Sequence, residues 1–364
     1  MTWNAWIDTE TSAIRAAGRW RAPHDLDPNL VNFASNDYLG LTNHPAVIAA
    51  AHDALDKYGA GAGSARLIVG SRPVHRELEH ALAEWKHVPR AALFPTGFAT
   101  NLGVLTTFGA PGVLICSDEL NHASIIDGCR LARADVAVYR HNDVDHLAHL
   151  LHTRGARRAL VVTDTVFSMD GDAIDPSGLF DLCARERALL VVDEAHAVLG
   201  PALDDVPADV DLVRVGTCSK TLGALGGFVA GPTKHVELVE NVARPYIFTT
   251  APTPADTAAA LAALRVLRSA EGDALVARLR THVQRLRPGH PSPILPYRCG
   301  SEVDALAAAA ALRERGILVP AIRPPTVAPG TSRLRVTLSA AHTDEQVDAL
   351  AHALDAVLGS AQLQ

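Results

Sequence analysis

Short apolar runs recur through the middle of the chain, each set off from the next by a turn or a helix-length stretch. "AALF" (91–94), "GVLICS" (112–117), "VAVYR" (136–140), "RALVVTD" (158–164), "ALLVVDE" (188–194), "DLVRVGT" (211–217) and "GGFVAG" (226–231) read as strands. Several are uninterrupted and β-branched, the pattern of strands covered on both faces. "SGLFDLCARER" (177–187) separates two of them at helix length, which makes a βαβ unit and implies parallel pairing. The periodicity therefore predicts an α/β protein built on a large, mostly parallel sheet. Ahead of it, the first ~35 residues read as an amphipathic helix carrying Trp6, Ile14 and Trp20, then a Pro-rich connection. The texture changes near residue 255. The Ala-rich helix "ADTAAALAALRVLRSA" leads to "VDALAAAAALRERGILVPAIRPP" and a closing helix, "TDEQVDALAHALDAVL". The expected organisation is an N-terminal helical segment over 1–35, a large domain over 36–265 and a smaller α+β C-terminal domain over 266–364.

Bulk properties narrow the function classes. At 364 residues the chain exceeds one ordinary domain, and 48% hydrophobic with 20% charged residues is a globular composition. No apolar run approaches the roughly 20 residues that span a bilayer. The start has no cationic region followed by an apolar core, so a signal peptide is not expected. The formal charge of -7, with no basic block, argues against a nucleic-acid surface. Five scattered cysteines, Cys116, Cys129, Cys183, Cys218 and Cys299, suit reduced thiols in a cytoplasm better than a disulfide frame.

Ligands of open α/β sheets sit beyond the carboxyl ends of the strands, and three polar groups fall there. "VVDEAH" puts Asp193 at a strand end and His196 three residues on. "VGTCSK" does the same for Thr217, Ser219 and Lys220. "FPTGFATN" sets Thr96, Gly97 and Phe98 where a strand gives way to a helix. The last is an anion site in outline, with backbone N–H groups and a hydroxyl at a helix start. A carboxylate, a lysine and a phosphate cradle together suggest pyridoxal phosphate, which needs a lysine for its Schiff base and an acid for its pyridine nitrogen. Singly each piece is weak. The strand ending in Asp193 could serve a nucleotidase, but no P-loop is present. The glycines of "YGAGAGSARLIVG" (58–70) fit no dinucleotide fingerprint. His146, His149 and His152 share a helix face without an acidic or cysteine partner, so a solvated face explains them better than a metal, and no metal site is expected.

Taken together, the order of the phosphate-cup glycine, His122, "FSMDGD", "DEAH" and "SK", and the spacing from Asp193 to Lys220, is that of a fold-type I pyridoxal-phosphate enzyme. "NFASNDYLGLTNHP", "FPTGFATN", "SDELNHASIIDGCR", "HND", "TDTVFSMDGD", "VVDEAHAVLG", "TCSKTLGALGG", "RPYIFTTAPTPA" and "IRPPTVAPGTSRLRVTLSAAHT" resemble the α-oxoamine synthase family across nearly the whole chain. The resemblance implies the aspartate aminotransferase-like fold and a pyridoxal 5'-phosphate-dependent acyltransferase. Lys220 would hold the cofactor and move the Cα proton, Asp193 would pair with the pyridinium nitrogen, His196 with the phenolic oxygen, and His122 would stack on the ring. Gly97, Phe98, Ser168 and Thr217 would surround cofactor and phosphate. Thr249 and Thr250 would reach the phosphate of a neighbouring subunit in a homodimer. Arg323 would take the amino acid's carboxylate, with Arg15, Asn36 and Thr326 as further substrate contacts. The branch implied joins L-alanine to a pimeloyl thioester of coenzyme A or a carrier protein, in biotin biosynthesis. Three departures from the family pattern stand out: Ser64-Ala65-Arg66 after the glycine-rich turn, Ala197 after "DEAH", and the short "PALDDVPADVD" (201–211). The first two lean toward the sister branch that uses glycine. An aminotransferase or lyase on the same fold would share Lys220 and Asp193.

Overall fold

The computed structural model describes residues 1–23 and 25–359. Its strands, in chain order, are β1 (Val31–Asn32), β2 (Arg90–Phe94), β3 (Val113–Asp118), β4 (Asp135–Tyr139), β5 (Arg158–Asp164), β6 (Leu189–Asp193), β7 (Leu212–Thr217), β8 (Gly227–Gly231), β9 (Ile294–Gly300), β10 (Ile317–Leu318), β11 (Ala321–Ile322) and β12 (Ser332–Thr337). All seven apolar runs of the central region are strands, to within one residue at each end. They form one seven-stranded sheet in the order β2-β8-β7-β6-β5-β3-β4. Strands β3 to β7 are parallel, and β8 runs antiparallel to both β7 and β2.

Both faces of this sheet are covered over its inner strands, which is why those are apolar without alternation, while edge strand β4 leaves Val136 and Val138 exposed. Val161, Leu190 and Val192 face a core shared with the helices Val144–His152 and Pro176–Glu186. Leu160, Val162 and Val191 face the opposite core, with Val104, Leu105 and Ile125 of the helices Gly97–Phe108 and Ala123–Leu131. The βαβ helix starts where its chemistry dictates: Asp175 caps it by accepting from Ser177 N, and Pro176 occupies its first turn. The parallel strands end together, so Asp118, Asp164, Asp193 and Thr217 stand at the carboxyl ends of β3, β5, β6 and β7.

The chain divides into two compact units, 36–293 with 338–341, and 1–35 with 294–337 and 342–364. The expected break after residue 35 coincides with this division, whereas the large unit runs on past 265 to 293. The Ala-rich helix Pro254–Leu267 belongs to the larger unit, where it packs on the helices Pro45–Tyr58 and Pro73–Trp85 and buries Leu261 and Leu264. Its small residues allow close helix packing, and the change of texture at 255 marks that packing, not a boundary. In the smaller unit β9, β12 and β11 form an antiparallel sheet and β1 pairs with β10. The helices Glu302–Arg313 and Asp344–Leu358 complete that unit, the second opened by a Thr343/Gln346 capping box. Strands β9 and β12 were not expected from the sequence. The N-terminal helix spans Trp3–Ala16 with no buried residue, and Trp20 lies beyond it, under the Arg15 guanidinium at 3.6 Å. Among the described residues, no helix is long and apolar enough to cross a membrane.

One ion pair anchors the edge of the large unit. The Arg66 guanidinium forks onto Glu79 at 2.7 and 2.9 Å, with both side chains nearly buried. Glu79 Oε1 also accepts from Leu93 N at 2.9 Å, which ties the pair to β2. Glu79→Gln should cost about 3 kcal/mol, because it leaves a buried guanidinium uncompensated. Denaturant unfolding measures this, and a loss under about 0.5 kcal/mol, the range of an ordinary surface substitution, would contradict it.

Candidate active site

The buried carboxylate of Asp193 lies at the end of β6. Oδ1 accepts from Ala195 N at 2.9 Å, and Oδ2 from Asn101 Nδ2 at 2.7 Å. Its carbonyl takes both Thr165 N and Thr165 Oγ1, each at 2.9 Å. Asn101 also donates to Ser124 Oγ at 2.9 Å. Ser124 Oγ meets His122 Nδ1 at 2.8 Å, and Ser124 N donates to the same nitrogen at 3.2 Å. Two donors converge on Nδ1, so the neutral ring carries its proton on Nε2. A continuous hydrogen-bond line thus runs from His122 through Ser124 and Asn101 to Asp193. Sequence reasoning had the two ends and missed the middle. Asn101 lies one helical turn after Gly97, and only that spacing hinted at it.

Burial and charge tune these groups. Burial lowers the His122 pKa, the Asp193 carboxylate opposes this, and the Lys220 cation adds to it. Asp164 pairs in strand register with Asp193, and its Oδ2 accepts from His122 N at 2.8 Å. Burial, then the charge of Asp193, pushes the Asp164 carboxyl well above the usual range. The Phe98 ring meets His122 edge-on with centroids 6.4 Å apart.

The lysine segment is shaped by close contacts. A Cβ on Gly97 would come 3.2 Å from Thr217 Cβ, and one on Gly227 would lie 2.4 Å from the Thr96 backbone. The helix Gly97–Phe108 therefore starts hard against the ends of β7 and β8. Thr96 caps it by accepting from Ala99 N at 3.1 Å, while the Gly97 and Phe98 amides, as first-turn donors, have no intrahelical acceptor. Thr217 Oγ1 donates to Gly226 O at 2.9 Å and accepts from Ser219 N at 3.2 Å. Gly223, at φ +58°, brings the loop after half-buried Lys220 within 2.5 Å of Thr42 N, measured from an added Cβ. The small residues around Lys220 let three backbone segments meet.

The large unit thus gathers Gly97, Phe98, His122, Asp193, Thr217 and Lys220. His196 Nδ1 pairs with the Tyr38 hydroxyl, which also reaches Asn36 Oδ1 at 3.3 Å. Tyr38 is fully buried and was not expected to take part. Ser168 stands half-buried on the turn after β5, and Thr249 and Thr250 follow the short helix Arg244–Ile247. In the smaller unit Arg323 donates to Gly18 O at 2.7 Å and Trp20 O at 3.4 Å, and Arg21 donates to Thr326 Oγ1 at 3.2 Å. Two departures from the family pattern find physical answers. Ser64 contributes its carbonyl, to Ala251 N at 2.9 Å, which the neighbouring residue type does not disturb. Ala197 opens a 3-10 turn without a left-handed φ, so no glycine is required there. Among the described residues, no His, Cys, Asp or Glu cluster could hold a metal.

The family model described as aminotransferase class I and II matches residues 28–354. The chain is 49% identical over 379 residues to an 8-amino-7-oxononanoate synthase of Anaeromyxobacter sp. (strain K), covering 97% of this chain and 95% of that protein. Among solved structures it is similar to the serine palmitoyltransferase of S. paucimobilis with bound PLP, at 28% identity and TM-score 0.88, covering 97% and 96% of the two chains. It is also similar to the 8-amino-7-oxononanoate synthase of Francisella tularensis, at 27% identity and TM-score 0.73, covering 91% and 97%.

The folded pKa of His122 lies below its unfolded 6.5, so folding favours the neutral ring. Its contribution to stability is complete above pH 6.5 and declines as pH falls below that value. In cofactor-free protein, NMR should place the His122 titration below 6.5. Lys220→Ala should move it up toward 6.5, and Asp193→Asn further down. A titration indifferent to both substitutions would show that neither charge reaches the ring.

Proposed function

The chain belongs to the aminotransferase class I and II family, and from that premise we propose that it is a pyridoxal 5'-phosphate-dependent C-acyltransferase making 8-amino-7-oxononanoate. It would join L-alanine to a pimeloyl thioester with loss of carbon dioxide and free thiol, a step of biotin biosynthesis. The observation that carries this reading is the convergence on His122 of two charges, the hydrogen-bonded buried carboxylate of Asp193 and the Lys220 cation, in a chain 49% identical to such a synthase.

The residues fit the cofactor. Gly97 leaves open the space beside Thr217 that a side chain would fill, and the free first-turn amides suit a phosphate there. Asp193 keeps Asn101 and Ala195 as fixed donors, so its charge is held ready to keep a pyridine nitrogen protonated. When bound, the cofactor supplies an electron sink that acidifies the Cα–H of an attached amino acid. His122, held neutral, offers a flat ring face without adding positive charge. His196, oriented by Tyr38, would pair with the cofactor's phenolic oxygen. Lys220 Nζ removes the Cα proton and returns one after decarboxylation. Between these events the substrate carbon attacks the thioester carbonyl, and the thiol leaves. Arg323 would receive the amino acid's carboxylate after giving up its contacts with Gly18 and Trp20.

A homodimer and a cytoplasmic location belong to the same reading. Leu67, Ile68 and Val69 are 52%, 73% and 69% exposed on the wide turn Arg66–Gly70, and Phe248 is 69% exposed beside it. Such a contiguous apolar patch suits a partner surface. It adjoins Thr249 and Thr250, the residues proposed to reach a neighbouring subunit's phosphate. The unpaired cysteines suit a reducing compartment.

Purified, cofactor-loaded protein should release thiol from pimeloyl-CoA in the presence of L-alanine. Lys220→Ala should abolish the visible absorbance of the lysine adduct and lower the rate at least about 10³-fold. Release only with glycine and acetyl-CoA would move the protein to the sister branch and overturn the alanine assignment. Ile68→Asp should shift the protein from dimer to monomer in light scattering, with at least about tenfold loss of activity, since it buries a charge in an apolar contact. An unchanged mass would remove this patch from the interface.

A further inference from the structure

The "HND" segment at 141–143 has no role in the site as described so far. His141 follows β4, and its ring bridges two carboxylates. Nδ1 lies 3.0 Å from Asp118 Oδ1, and Nε2 lies 2.7 Å from Asp172 Oδ2. A ring that bonds an anion through each nitrogen must donate from both, so it is an imidazolium. Burial opposes the charge, but the two carboxylates raise the pKa to about 10. Asp118 is buried at the end of β3, and it also accepts from Leu120 N at 2.8 Å and Asn142 N at 2.9 Å. Asp172 accepts from Asn142 Nδ2 at 3.0 Å. The Phe167 ring lies edge-on to His141 at 4.4 Å. Other titratable groups around this bridge are Glu119, which accepts from His141 N at 2.8 Å, Tyr139 and Asp164, which sense Asp118, and His290, which senses Asp172.

Asp172 closes the turn that carries Ser168. Phe167 N donates to Asp172 O at 3.0 Å, Gly171 N to Phe167 O at 2.8 Å, and Ile174 N to Thr165 O at 3.1 Å. Ser292 Oγ holds the turn from outside, on Gly171 O at 2.6 Å. Thr165, at the base of the turn, makes the two bonds to the Asp193 carbonyl. Mechanical support therefore runs from the His141 bridge, through Asp172 and the turn, to Ser168 on one side and the Asp193 strand end on the other.

We infer that His141 is a positioning residue for the active site: a fixed cation between Asp118 and Asp172 that locks the 167–174 turn, and with it Ser168 and the Thr165 brace behind Asp193. It rests on the pyridoxal-phosphate reading for the purpose of the site, but not for the lock itself. His141→Gln keeps a donor and removes the charge. Hydrogen exchange at Phe167, Gly171 and Ile174, read without cofactor, should accelerate at least about tenfold, while the β5 core amides 160–163 stay unchanged. In the holoenzyme the cofactor's dissociation constant should rise about tenfold and its visible circular dichroism should change, as when an orienting partner behind a ligand is lost. Asp172→Asn should reproduce both effects, and the double variant should add little to either. Asp172→Asn also carries the comparison if the histidine variant does not fold. Unchanged turn exchange, or acceleration spread equally through β5 and β6, would overturn the inference, as would a faster turn with cofactor affinity and dichroism unmoved. A wild-type protein that took up no cofactor would defeat the proposed function instead, and the exchange result would still decide the lock.

Discussion

Asp193 holds a carboxylate at the end of a strand whose preceding residues, Leu190, Val191 and Val192, are apolar and fully buried. Moving such a group out of water costs several kcal/mol unless other donors replace its hydration. The donors here come from two directions, Ala195 in the next turn and Asn101 on the helix Gly97–Phe108. For Asn101 to reach, that helix must dock against the ends of β7 and β8. A side chain at Gly227 would run into the Thr96 backbone and prevent it, and one at Gly97 would crowd Thr217. The same docking sets the helix's first turn beside Thr217. The Asp193 hydrogen bond from Asn101 and the proposed phosphate site thus rest on one close approach.

Two histidines of the large unit show when burial decides protonation and when ion-pair partners do. At His122, with Ser124 and the edge of Phe98 against its ring, burial lowers the pKa, and the charge of Asp193 opposes this without reversing it. His141 is also partly withdrawn from water, but a carboxylate meets each of its nitrogens, and its pKa rises to about 10. The neutral ring suits a stacking surface for an aromatic ligand. The charged ring suits a structural bridge.

The aspartates of the sheet edge divide in a related way. Asp118 is spent on His141 and the backbone of Leu120 and Asn142. Asp164, raised by burial and by Asp193, supports His122 through its backbone amide. Asp193 takes Asn101 Nδ2 and Ala195 N. Parallel register pairs Asp164 with Asp193 but Ser117 with Val162, which leaves Asp118 one residue out of step, so their different duties follow from the donors that each one meets.

The sequence by itself determined the strands of the sheet, because strands buried on two faces must be continuously apolar, and the seven apolar runs are strands even where edge strand β4 leaves Val136 and Val138 exposed. It determined the chemical kit as well, since a lysine, an acid and a glycine-led helix start at strand ends are local features of the chain. The tertiary structure alone decided the links between them. Asn101 and Ser124 lie 23 residues apart and Tyr38 and His196 158 apart, and ordinary polar residues carry no mark of such meetings. The antiparallel turn of β8 and the boundary near 293 were equally silent. Pairing direction and unit membership depend on which surfaces bury each other, and a pattern of apolar positions records that a face is covered without recording by what.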